Sequence, residues 1–251
     1  MKKDKEEIMN RRNYLLIILI IFILIISFLI NFNFENKKYI IFNKNNIWQI
    51  NDNKITKIDS KNINKLNFLE SKLYSKGFID SGYFYYNKDI VFYEKSYYKR
   101  KMFDDSFITV NINKDLKVKL KNNILLNEDN NIVLDYLKER NINVDLEEIF
   151  VEKINISSKK TFYSVKSLEN CSEQFSFVFL NDNNSYKTIY YNDNIINRSS
   201  VLHLLMDINN DNNYDIVLYS DIPNSDSKEC YSLYLYNNGD YNKTIDCEKG
   251  E

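Results

Sequence analysis

At 251 residues the chain has room for one or two domains. Its 34 Lys+Arg balance 35 Asp+Glu, for a formal net charge of −1, which argues against a nucleic-acid partner and against an acidic disordered tail. With 20 Tyr and 16 Phe but only 4 Gly and 1 Pro, the composition favours half-buried strands whose turns are made by Asn and Asp. Heavy use of Asn, Lys and Ile without any Ala reads as the codon bias of an AT-rich genome. The Asn-rich stretches are then a codon effect first and a low-complexity signal second.

Tyr14 to Ile30 reads YLLIILIIFILIISFLI and carries no charge. As a helix it would be about 25 Å long, at the lower limit for crossing a bilayer. A transmembrane helix acting as a signal anchor is expected over 14–30, with Phe32 and Phe34 at the interface. Lys2, Lys3, Lys5, Arg11 and Arg12 precede it, so residues 1–13 are expected in the cytoplasm and the C-terminal bulk outside the cell membrane. A cleaved signal peptide is the alternative, although Asn31 to Glu35 offers no small-residue cleavage pattern. A buried core helix is the third reading.

Beyond it, residues 37–128 read as a β-rich region. Tyr39-Ile40-Ile41-Phe42, Ile47 to Ile50 and Ile55 to Ile58 form a meander separated by polar turns. Ser60 can cap a helix through Ile63, Leu66, Leu69 and Leu73, stopped by Gly77. Strands are expected over Phe78 to Tyr86 and Ile90 to Tyr98, and a hairpin from Phe107–Val110 and Leu116–Leu120. Residues 129–251 begin with a helix from about Ile132 to Arg140, then a short one after Asp145, whose spacing to Glu148 fits a capping box. Strands follow from Val151. The expected class is α+β, mostly antiparallel β, with a meander and about two blades after the N-terminal transmembrane helix.

Lys153 to Val165 aligns without gaps on Asp207 to Tyr219. Each copy continues to a Cys, an aromatic strand and a Lys-Thr-Ile segment: Lys187-Thr188-Ile189 and Lys243-Thr244-Ile245. A chance likeness within a narrow residue alphabet is the other reading. In the second copy, Asp207-Ile208-Asn209-Asn210-Asp211-Asn212-Asn213-Tyr214-Asp215 sets oxygen side chains at the first, third, fifth and ninth positions. Such spacing lets a tight loop wrap one hard cation. In the first copy Lys153, Ser157 and Thr161 replace Asp207, Asp211 and Asp215.

Met206 to Val217 resembles the FG-GAP or VCBS repeat of integrin-alpha-like β-propellers, and Tyr136 to the end more loosely resembles uncharacterised membrane-anchored bacterial proteins. The resemblance implies structural Ca2+ held by Asp207, Asn209, Asp211 and Asp215, with the backbone carbonyl of Asn213. Asn212 stands where the family usually has Gly. An Asx-rich turn without metal is the competing account of the same residues.

Asn238-Gly239 is a strong two-residue hairpin signal. Counting outward from it sets Tyr236 opposite Tyr241 and Cys230 opposite Cys247, close enough for a disulfide, which would leave Cys171 over. Other pairings of the 3 Cys stay open. His203, the lone His, has no nucleophile at recognisable spacing, and no GxSxG, HExxH or phosphate-binding loop occurs. The expectation is a non-enzymatic single-pass surface protein that binds an envelope protein or polymer. The alternative is an envelope hydrolase built on an unrecognised carboxylate pair; Glu147-Glu148 and Asp104-Asp105 read more simply as solvated turn or helix-start charges.

Overall fold

Alternating β-branched and aromatic residues make most of the described residues extended, and Asn-rich turns fold the strands back on one another. The computed structural model describes residues 14–27, 37–42, 46–51, 54–59, 66, 69–75, 78–87, 89–94, 99–101, 106–112, 117–120, 122–123, 130–168, 171, 173–193, 199–221 and 230–246. Residues 14–27 are a helix, α1. The strands that follow are β1 (Lys38–Phe42), β2 (Asn46–Asn51), β3 (Lys54–Ile58), β4 (Glu70–Ser75), β5 (Phe78–Asn87), β6 (Asp89–Glu94), β7 (Lys99–Lys101), β8 (Ser106–Val110), β9 (Val118–Leu120) and β10 (Asn122–Asn123). Helix α2 (Asn130–Glu139) and a 3-10 turn (Leu146–Glu148) lead into β11 (Ile149–Ser157), β12 (Lys160–Ser167), β13 (Ser176–Asp182) and β14 (Ser185–Asn192). The last strands are β15 (Ser199–Met206), β16 (Asp215–Asp221), β17 (Cys230–Asn237) and β18 (Asp240–Ile245).

These strands build three antiparallel sheets: an eight-stranded one in the order β3-β2-β1-β8-β4-β5-β6-β7, and two five-stranded ones, β10-β11-β12-β13-β14 and β18-β17-β16-β15-β9. The two five-stranded sheets share one plan. Each is a four-strand meander with a short, earlier strand added beside its first member.

Period-2 alternation sorts the side chains into layers. Val217, Leu233 and Leu235 join Ile40, Leu73 and Phe107 of the eight-stranded sheet in one core. Their neighbours Ile216, Leu218 and Tyr234 face the other way, into a second core with Ile154, Phe162, Val178 and Leu180. The opposite face of that outer sheet packs Tyr163, Val165, Phe177 and Phe179 under Val133, Tyr136 and Leu137 of α2. The order of layers is therefore eight-stranded sheet, β15–β18 sheet, β11–β14 sheet, α2. Tyr136 stacks on Phe179 at 4.0 Å between ring centres, and its hydroxyl meets Thr188 Oγ1 at 2.7 Å.

Several expectations are corrected. The described part of the chain is mostly antiparallel β in open sheets, without a closed barrel or propeller, in place of the α+β class with propeller-like blades. Helix α1 is about 21 Å long, and no helix among the described residues is long and apolar enough to cross a membrane. The transmembrane helix and signal anchor expected over 14–30 are thus not supported, and residues 28–30 lie outside the described residues. The helix expected after Ser60 is replaced at its C-terminal end by β4, which pairs with both β5 and β8. The residues at 60–65 and Gly77 lie outside the described residues. No β8–β9 hairpin forms: β8 lies between β1 and β4, while β9 joins β15 in another sheet.

Candidate functional site

Asp207 to Asp215 connects β15 to β16, and the structure gathers the predicted ligand residues there. Asp207 is buried, and its Oδ1 and Oδ2 accept the backbone N–H groups of Asp211 (2.9 Å) and Asn212 (3.0 Å). Asp215 is fully buried and accepts N–H from Ile208 at 2.9 Å and, across to β17, from Tyr236 at 2.9 Å. Asp211 Oδ1 accepts the Asn213 N–H at 2.8 Å, and Asp211 Oδ2 takes a bond from Asn209 Nδ2 at 3.0 Å. Asn210 and Asn212 sit at φ 61° and 68°, which lets the backbone curl around the carboxylates. Lys117, just before β9, adds a cation on the rim by donating to Asn212 Oδ1 at 2.8 Å.

Those bonds turn the carboxylates towards the loop's own N–H groups. Among the described residues no group of three or more His, Cys, Asp or Glu is disposed to hold a metal ion. The calcium site expected from Asp207, Asn209, Asp211, Asn213 and Asp215 is therefore corrected to a clip closed by its own hydrogen bonds. Burial, reinforced by the nearby Asp211 and Asp207 charges, pushes the Asp215 carboxyl up to about 7, against the pull of its two N–H donors. Ile208, fully buried, plugs the loop into the core shared with the eight-stranded sheet.

His203 is the extra residue of a bulge in β15, since Leu202 pairs with Leu218 and Leu204 with Val217. The bulge sets His203 beside Tyr231 and Phe107, at 5.1 and 6.0 Å between ring centres, as a packed core residue. Glu147 and Glu148 belong to the 3-10 turn, where Glu148 Oε2 accepts the Asp145 N–H at 3.3 Å. Asp104 and Asp105 lie outside the described residues. Cys171 is free and buried. Cys230 is disulfide-bonded, but Cys247 lies outside the described residues, and no disulfide joins two described residues. The uninterrupted ladder expected from Tyr236/Tyr241 to Cys230/Cys247 does not hold, because the register shifts where Leu233 pairs with Ile245 and Tyr234 with Lys243.

The structure adds an open polar groove of about 420 Å³ at the hairpin end of the β11–β14 sheet, just beyond α2. Among the described residues, Lys153, Asn155, Lys159, Thr161, Tyr163 and Asn181 line it, with Ile132 at the helix side. Asn155 Oδ1 accepts the Thr161 hydroxyl at 3.0 Å, Asn181 Oδ1 accepts the Asn184 N–H at 2.9 Å, and Ser157 Oγ accepts the Lys159 N–H at 3.3 Å. Lys119 Nζ holds the strand from behind, donating to the Asn155 and Ile156 carbonyls at 2.7 and 2.8 Å. None of these residue types in that order signals a site in sequence.

Searches against family models, curated proteins and solved structures find no match to the chain. The FG-GAP/VCBS likeness therefore rests on the residues of the loop alone.

Proposed function

We propose that the protein is a non-catalytic binding module that holds a polar, oxygen-rich ligand, a saccharide or polymer of the kind found in a cell envelope. The single observation that carries the reading is the open groove on a rigid sheet, lined by amides, hydroxyls and lysines. Its floor is fixed: Tyr163 stacks on Phe179 at 5.1 Å, and Asn155 and Asn181 are each held by a hydrogen bond of their own. A lining of amides, hydroxyls and lysines favours holding a ligand over bond cleavage, which needs a positioned acid–base pair or nucleophile.

The test is amide chemical-shift mapping of the full chain during titration with fragments of envelope polysaccharide. Shifts centred on Asn155, Thr161 and Asn181, with the ligand recovered unaltered, are expected. Ser158→Trp, which places a large side chain in the groove from the hairpin tip, should abolish them. Shifts confined to another surface, or a cleaved ligand, would overturn the proposal.

A further inference from the structure

Asn155, Thr161 and Asn181 form one row across the groove, because Asn155 pairs with Thr161 and Thr161 with Asn181. Residues paired across adjacent strands point to the same face, with Cβ atoms about 5 Å apart. Part of each polar group in the row is already fixed. The Asn184 backbone N–H can only donate, so it holds the Asn181 side-chain oxygen, at 2.9 Å. Asn181 Nδ2 then keeps two hydrogens without an acceptor among the described residues, although the residue is only 7% exposed. Thr161, also buried, donates its hydroxyl hydrogen to Asn155 Oδ1 at 3.0 Å and keeps oxygen lone pairs to accept with. A buried donor therefore stands beside a buried acceptor on the groove wall. Buried polar groups are costly without partners, so the pair favours a ligand that completes both.

A secondary amide does so: its C=O accepts from Asn181 Nδ2 while its N–H donates to Thr161 Oγ1. Apolar surface adjoins the row. Ile132 lines the helix side, and Tyr163, on the same face of β12 as Thr161, stacks on Phe179. An acetyl methyl is best placed against that surface. The ends of the two hairpins add Ser157, Ser158 and Asn183, small hydroxyls and an amide that match the vicinal hydroxyls of a sugar ring. The groove volume of about 420 Å³ falls in the usual range for small-molecule sites. Resting on the binding-module reading, we infer that the groove takes an N-acetylhexosamine unit, its acetamido group held by Asn181 and Thr161 and its methyl against Ile132.

Titration calorimetry of the full chain tests this with N-acetylglucosamine, glucose and Nε-acetyl-lysine, which carries the same acetamide on an alkyl stem. N-acetylglucosamine should bind at least about tenfold tighter than either, since glucose lacks the amide and acetyl-lysine lacks the ring hydroxyls. Asn181→Asp keeps the oxygen that Asn184 needs but removes both N–H donors, and should weaken N-acetylglucosamine by about tenfold or more. Thr161→Val removes the acceptor at nearly constant size and should weaken it similarly. Melting curves check that both variants fold, and the comparison among ligands uses the unsubstituted protein, so it stands without them. Equal affinity for glucose would overturn the acetamido assignment while keeping the binding module. Acetyl-lysine binding as tightly as the sugar would leave an acetamide seat and overturn the sugar assignment. Unchanged affinity in both folded variants would put the acetamide elsewhere and overturn the inference. No binding by any of the three would also overturn it, and the binding module falls with it only if the polysaccharide fragments leave the groove amides unshifted.

Discussion

Asn takes the role that Gly plays in most chains. Among the described residues every non-glycine at positive φ is Asn: Asn111, Asn141, Asn183, Asn184, Asn210, Asn212 and Asn238. Asn tolerates this region because its short amide can bond locally, while a β-branched residue there is strained. Asn184→Val in the tight β13–β14 turn should therefore cost on the order of 1–3 kcal/mol, and Asn184→Gly should leave stability unchanged or slightly higher. Urea midpoints would check the pair. Asp215 makes the sharper prediction. Its carboxyl lies near 7 in the fold, against 3.8 for an ordinary Asp. The folded state thus holds the proton more firmly than the unfolded chain. The stability this gives is complete below about pH 4 and is lost as the pH rises through about 7, on the order of 4 kcal/mol in all. Melting temperature against pH should fall more steeply through that window in the unsubstituted protein than in Asp215→Asn. Parallel curves would show that the group does not titrate there. The acidic spacing of this loop is visible in the chain. Its closure is not, because one partner of Asp215 is the N–H of Tyr236, brought in by a neighbouring strand.

At the scale of elements, the β15–β18 sheet has to protect an edge. Strand β9 covers only Leu204 to Met206 of β15. Further along, the Ser200 and Leu202 N–H groups donate instead to the hydroxyls of Ser176 and Ser164, at 3.3 and 3.0 Å, in the sheet stacked above. Serines thus stand in for a missing strand. Ser164→Ala leaves a buried N–H without its acceptor and should destabilise by about 1–3 kcal/mol. Faster amide exchange at Leu202 than at Leu218 would localise the effect. The β1–β3 meander and α2 are legible because their signals are local: alternation with polar turns in one, helical spacing of Val133, Tyr136 and Leu137 in the other. The helix expected after Ser60 fails because Leu73 also suits a strand, and pairing on both sides decides the outcome. The groove is illegible because its lining comes from α2 and from β11, β12 and β13, which meet only once the sheet has paired.

At the scale of the molecule, the β15–β18 sheet is buried on both faces and shared by two cores. Losing it would expose both neighbours, so unfolding should be one cooperative event. Trp48, the single Trp, lies in β2 of the eight-stranded sheet and packs against its core. Its fluorescence should therefore change at the same denaturant concentration as amide protection at Phe177 in the far sheet. Separate transitions would mean that the layers fold as independent units.

The reliance on Asn at the turns also sets how the protein ages. Asn is among the less heat-durable side chains, and in the β17–β18 turn Asn238 is followed by Gly239, which offers the least steric shielding to its amide. Slow loss of that amide would place new negative charge at a hairpin tip while the layered cores stay intact. Age in solution would thus be written at the corners of the molecule before its interior records any change.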